Sequence, residues 1–129
     1  MTITNSGEQT RYRVAGSDQV AEGGRHVVDV GDLTIGVFRF RGRLYAYENA
    51  CAHQGGPVCQ GRLVHRVREV LDEAGRSSGF RFDEDEPHIV CPWHGAEYSV
   101  ITGVHPGNHT VRLRSFEVTE DSGEIYVTV

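Results

Sequence analysis

Cys51-Ala52-His53 and Cys91-Pro92-Trp93-His94 are the two stretches on which the reading of this chain turns. Each sets one thiol and one imidazole within a single tight turn. Together they offer two cysteines and two histidines to one metal site. Gln54-Gly55-Gly56-Pro57 follows the first pair and Gly95 the second. Glycine and proline allow sharp backbone turns and leave amides free to face sulfur. Two Cys and two His also suit a tetrahedral structural zinc. Zinc modules, however, usually pair like with like, as Cys-x2–4-Cys and His-x3–5-His hairpins. The mixed Cys-x-His order argues against that reading.

Cys-x-His followed by Cys-x-x-His, with these flanking residues, resembles the signature of the Rieske family. The resemblance runs from about Tyr12 to the C-terminus and is strongest over 48–61 and 88–107. It implies one 2Fe–2S cluster, with Cys51 and Cys91 on one iron and His53 and His94 on the other. Thiolate and imidazole in one short loop then reach different irons, and two such loops grip the cluster from opposite sides. The resemblance also implies an all-β fold, a Rieske-like antiparallel β-sandwich with a cluster-binding tip formed by two loops. The expected organisation is a single domain over 1–129, with ligand loops at about 48–61 and 88–100 and an insertion at about 62–87.

The residues around the ligands refine what the resemblance implies. High-potential members carry a Ser and a Tyr in the second loop, both donating hydrogen bonds to sulfur. Here the matching positions are Ala96 and Tyr98, so one donor is lost and Tyr98 is the candidate for the other. A potential in the lower part of the family range of about −150 to +300 mV is expected. Trp93, between two ligands, is expected to shield the cluster or pack beneath the loop, and Gly95 to shape the turn. Quinol-oxidising members carry a further Cys in each loop, joined as a disulfide. Gly56 and Trp93 occupy those positions here. Cys59, the third cysteine, reads as a small buried hydrophobe.

Composition bounds the partners. The chain has 129 residues, a length for one domain. A net charge of −5 and a pI near 5.8 argue against nucleic acid. Residues 1–7 are polar, with neither a basic start nor an apolar stretch, and no run is long enough to span a bilayer. A cytoplasmic protein without a membrane partner is the expectation.

The remaining sequence reads as short antiparallel strands. Arg11 to Ala15 and His26 to Val30 precede Leu33 to Phe40, and Arg41-Gly42 turns the chain into Leu44 to Tyr47. His88 to Val90 leads into the second ligand loop and Glu97 to Ile101 leads out. Thr102-Gly103 and His105-Pro106-Gly107-Asn108 read as turns, and Val111 to Val118 and Ile125 to Val129 close the sheet. No internal repeat is visible.

Residues 54–90 make the spacing between the two motifs roughly twice that of small Rieske ferredoxins. Leu63, Val64, Val67, Val70 and Leu71 fit an amphipathic helix by spacing. The valines, the turn-like 74–79 and the alternating Phe80-Arg81-Phe82 favour an added hairpin instead, and that reading is preferred. Asp83-Glu84-Asp85-Glu86 is either a solvated acidic loop or a docking patch for a basic partner. His88 and His65 lie near ligand cysteines without reproducing the motif, and His26, His105 and His109 read as turn or surface residues.

A freestanding ferredoxin follows from the resemblance. It would carry single electrons from a flavin-containing reductase to a terminal oxygenase, such as a ring-hydroxylating system, and would not be catalytic alone. No Gly-rich dinucleotide fingerprint is present, and the chain ends soon after the cluster region. The alternatives are the small Rieske subunit of an assimilatory nitrite reductase and a non-redox zinc module. With His53 and His94 on iron, the potential should be flat at low pH and decline through the oxidised-state histidine ionisations.

Overall fold

The computed structural model describes residues 10–52, 55–93 and 95–129. Eleven strands form all of its sheets: β1 (Arg11–Gly16), β2 (Arg25–Val30), β3 (Leu33–Phe40), β4 (Arg43–Glu48), β5 (Arg62–Leu71), β6 (Ser77–Val90), β7 (Glu97–Ser99), β8 (Val104–His105), β9 (Asn108–Arg112), β10 (Ser115–Asp121) and β11 (Glu124–Thr128). Every pairing is antiparallel. A six-stranded sheet runs β1-β11-β10-β4-β3-β2, a three-stranded sheet β5-β6-β7, and β8 pairs with β9.

The central strands of the larger sheet are covered on both faces, and their residues show why. On β3, Ile35 and Val37 join a core with Val14, Val20, Ala46, Ile125 and Val127. Phe38, one residue out of step, belongs to a second core with Tyr47, Cys59, Ile89, Tyr98 and Val100. Side chains alternate with period two along a strand, so a strand buried on both faces reads as a continuous apolar run. The second core joins the larger sheet to the three-stranded sheet, and the two candidate thiols, Cys51 and Cys91, lie in it.

Turn chemistry sets the hairpins. Arg41 and Gly42 have φ of 51° and 78°, and Ser122 and Gly123 have 53° and 80°. Two consecutive left-handed residues are what a two-residue hairpin turn of matching twist requires. The expected strand from Val111 to Val118 is instead two strands. Leu113 N donates to Gly103 O at 2.8 Å, while Arg114 O accepts from Glu48 N at 2.9 Å. The chain changes partners between those residues, leaving one sheet for another, and periodicity alone carries no mark of that exchange.

The 62–87 segment is a long hairpin, without the helical alternative. Residues 62–71 pair with 77–90, and Asp72 to Arg76 make the turn. The pairing jumps from His65↔Pro87 to Arg66↔Asp83, so residues 84–86 bulge out of β6. Pro87 cannot donate to a ladder and sits at the bulge, where a missing N–H costs least. Three of the four acidic residues, 84–86, therefore form a strand bulge, and two of their carboxylates have defined partners. Asp85 pairs with Arg41, and Glu86 with Arg66 at 3.1 Å. On the outer half of the hairpin, Val67 stands opposite Phe82 in register. Val67, Leu71, Phe80 and Phe82 are exposed there.

Candidate metal centre

Two loops converge at the end of the second core, one leaving β4 and the other joining β6 to β7. Each is pinched in the same way. The amide of Cys51 donates to Gly56 O at 2.7 Å, and the amide of Cys91 donates to Ala96 O at 2.7 Å. Four residues after each cysteine stands a glycine in the left-handed region, Gly55 at φ 75° and Gly95 at φ 73°. A side chain there would be strained, so these positions call for glycine. The shared Cys-to-Gly spacing is a structural repeat too short to register as a sequence repeat.

The loops touch across Gly56. A Cβ on that residue would fall 2.8 Å from the Trp93 indole and 3.0 Å from Cys91 Sγ. Trp93 thus crosses from the second loop to cover the first, while half its surface stays in solvent. Cys51 and Cys91 are both buried, and neither is bridged by a disulfide. Burial pushes the Cys91 thiol up, the Trp93 amide beside it works the other way, and nearby Cys51 adds to the rise. The Tyr98 hydroxyl lies 3.1 Å from Cys51 Sγ. Tyr98 is fully buried on β7, and the His105 ring meets it edge-on, with centroids 6.0 Å apart.

Two unbridged, buried thiols, with a hydroxyl and an amide at their sulfurs, form a donor set in which thiolates need a cation. That chemistry fits a metal–sulfur group. His53 and His94, the other two ligands expected from the sequence, lie outside the described residues. Among the described residues, the thiols of Cys51 and Cys91 are therefore what the site offers a metal.

A family model for the Rieske [2Fe-2S] domain matches residues 10–117, most of the chain. The chain belongs to the Rieske family. A Rieske domain binds a single [2Fe–2S] cluster. Ferredoxin CarAc of Metapseudomonas resinovorans is 31% identical over 104 residues, covering 80% of this chain and 78% of its own. The ferredoxin in a solved complex of reduced oxygenase and oxidised ferredoxin of carbazole 1,9a-dioxygenase superposes with a TM-score of 0.64. It is 28% identical and covers 91% of both chains. A Mycobacterium tuberculosis protein described as a putative NADH-dependent nitrite reductase small subunit shares the fold, with a TM-score of 0.67. At 16% identity and coverage of 95% and 96%, it speaks to fold alone. These ferredoxin relatives group this Rieske chain with electron carriers that are not enzymes on their own. No helix among the described residues is long and apolar enough to cross a membrane.

Behind the Rieske loops stand residues outside the ligand motifs, among them Cys59, which is buried as its sequence reading expected. Past the first loop, a one-turn 3₁₀ helix at Val58–Gln60 buries Cys59 against Gly36 of β3. A Cβ on Gly36 would lie 2.5 Å from Cys59 Cβ. Burial pushes the Cys59 thiol to about 12, so it packs as an inert hydrophobe. Asn49 Oδ1 accepts from Cys59 N at 2.8 Å, and Arg25 Nη1 donates to Cys59 O at 3.0 Å and also to Gly61 O. Behind the second loop lies His88. It is fully buried, with Glu86 Oε2 2.6 Å from Nε2 and Glu97 at Nδ1. Only the His88-x8-Glu97 bracket around the loop hinted at that arrangement, and such a spacing has no meaning until the strands pair.

Proposed function

We propose that this chain is a Rieske ferredoxin, a one-electron carrier between a flavin-containing reductase and an oxygenase, with Cys51, His53, Cys91 and His94 as cluster ligands. The observation that carries the reading is the pair of pinched loops bringing two buried, unbridged thiols into one donor set. When bound, the cluster supplies a one-electron couple, raised above that of all-Cys ferredoxins because two neutral imidazoles replace two thiolates.

The chain's own part is to hold and tune. Cys51 and Cys91 present their sulfurs from opposite loops, and Tyr98 donates its hydroxyl to the Cys51 sulfur. Ala96 offers no hydroxyl, which supports a potential in the lower part of the family range. The Trp93 indole lies over Gly56 and keeps water from the side of the loops it covers. The ferredoxins of carbazole 1,9a-dioxygenase and of an alkene monooxygenase system serve oxygenases, which supports an oxygenase as the acceptor here. The nitrite reductase subunit reading rests on fold likeness alone.

Absorption and low-temperature EPR spectra, with iron and sulfide assays, test the proposal. A red-brown protein with two irons and two sulfides, and a reduced-state average g below that of all-Cys clusters, is expected. A colourless protein holding one zinc would replace it with the structural-module reading.

A further inference from the structure

The imidazole of His88 is a fully enclosed titratable group outside the thiol site. Its side chain is 0% exposed, and each ring nitrogen meets a carboxylate oxygen: Nε2 that of Glu86 at 2.6 Å, Nδ1 that of Glu97. An ionised carboxylate accepts hydrogen bonds and cannot donate them. A neutral ring has one bare nitrogen, which would then face a carboxylate lone pair at hydrogen-bonding distance. A ring that donates at both nitrogens carries a proton on each and a positive charge. Arg66 on β5 completes the row, with Nη1 3.1 Å from Glu86 Oε2. Basic and acidic groups alternate through Arg66, Glu86, His88 and Glu97, crossing β5, β6 and β7 in turn.

The place of this row in the fold matters as much as its charge. His88 lies three residues before Cys91 on β6, and Glu97 opens β7 directly after the loop. Val90 pairs with Glu97 and His88 with Ser99, so the ion pair clasps the two strands at the mouth of the second loop. Three residues of strand span about 10 Å, so a charge on His88 lies within roughly that distance of the Cys91 backbone. Val64 of β5 and Ser99 of β7 are its other neighbours in register, and neither is charged. Glu86 is held below the usual carboxylate range, where hydrogen bonding from His88 and the charge of Arg66 overcome its burial.

We propose that His88 is a buried imidazolium, a positioning residue that clasps the strands of the second ligand loop and sets the charge felt at the cluster. The inference rests on the cluster assignment proposed above. It concerns groups three residues outside the ligand motif and so has its own test. A positive charge near the site favours the electron-rich state, and the Glu97 carboxylate opposes it.

The test compares midpoint potentials of the iron-loaded wild type, His88→Gln and Glu97→Gln at one pH and ionic strength, with EPR recorded on each. Removing charges of opposite sign should move the potential in opposite directions, down for His88→Gln and up for Glu97→Gln, with wild-type-like EPR. A role in packing alone would move both the same way or neither, and either result overturns the proposal while leaving the Rieske EPR signal in place. A second reading protects against a variant that fails to fold. In wild-type protein labelled with 15N-histidine, the buried ring should show protons on both nitrogens. A ring with one bare nitrogen overturns the proposal without any variant. A protein without iron would overturn the proposed function, and this inference with it.

Discussion

The two ligand loops share a pinch and differ in what stands behind it. Each cysteine amide closes on a carbonyl five residues ahead at 2.7 Å, with a left-handed glycine one residue before that carbonyl. The first loop is anchored by close packing and by bonds to backbone: Cys59 on Gly36, Asn49 on the Cys59 amide, Arg25 on the Cys59 and Gly61 carbonyls. The second is anchored by charge, with His88 between two carboxylates. Similar loop geometry can thus be held by contacts of different physical origin. One set responds to volume, the other to charge, so substitutions separate them.

Removing a thiol should have the largest effect, because it breaks what the loops have in common. Cys91→Ser is expected to reduce bound iron from two per chain to near zero, read by metal assay and loss of colour. Gly36→Val comes next and attacks the first loop alone, since its Cβ would enter the space of Cys59. Overpacking of this kind costs about 3 kcal/mol. The urea midpoint should fall, and the fluorescence of Trp93, the single tryptophan, should report early exposure of the junction between the loops.

Tyr98→Phe acts across the comparison, since Tyr98 stands on the strand after the second loop and reaches the cysteine of the first. A hydrogen bond is worth about 1 kcal/mol, and tenfold in a one-electron equilibrium is about 59 mV, so the potential should drop by about 40 mV. Voltammetry with unchanged iron content checks this. An unmoved potential would leave Tyr98 a packing residue.

The smallest effect is a control far from either loop. Hydrogen bonding to Arg39 holds the Glu120 carboxyl at about 2, against an ordinary 4.5. A carboxylate whose folded value is depressed stabilises the fold above its unfolded value, and that contribution is lost as pH falls toward the folded one. The difference in Tm between wild type and Glu120→Gln should therefore be present at neutral pH and shrink between about 4.5 and about 2. The Glu120 side chain is 35% exposed and that of Arg39 14%, so solvent still screens the pair and the effect is modest and salt-sensitive. A difference that persists at low pH would mean that Glu120 acts through packing.

Sequence alone determined the strand character of most of the chain, the turn at Arg41-Gly42, and the cysteine motifs that lead to the family. These are local properties, written in alternation, in left-handed turn residues and in the spacing of a few ligands. The added hairpin within 62–87 was legible for the same reason, since its valines and alternating phenylalanines favour strand over helix. Tertiary structure decided the rest. The exchange of partners near Leu113, the seating of Cys59 on Gly36, the meeting of Trp93 with Gly56 and the enclosure of His88 by Glu86 and Glu97 join residues from separate strands and loops. Sequence periodicity records which face a side chain takes, but not which side chain meets it there. That depends on strand order and register, which the packed sheets decide together.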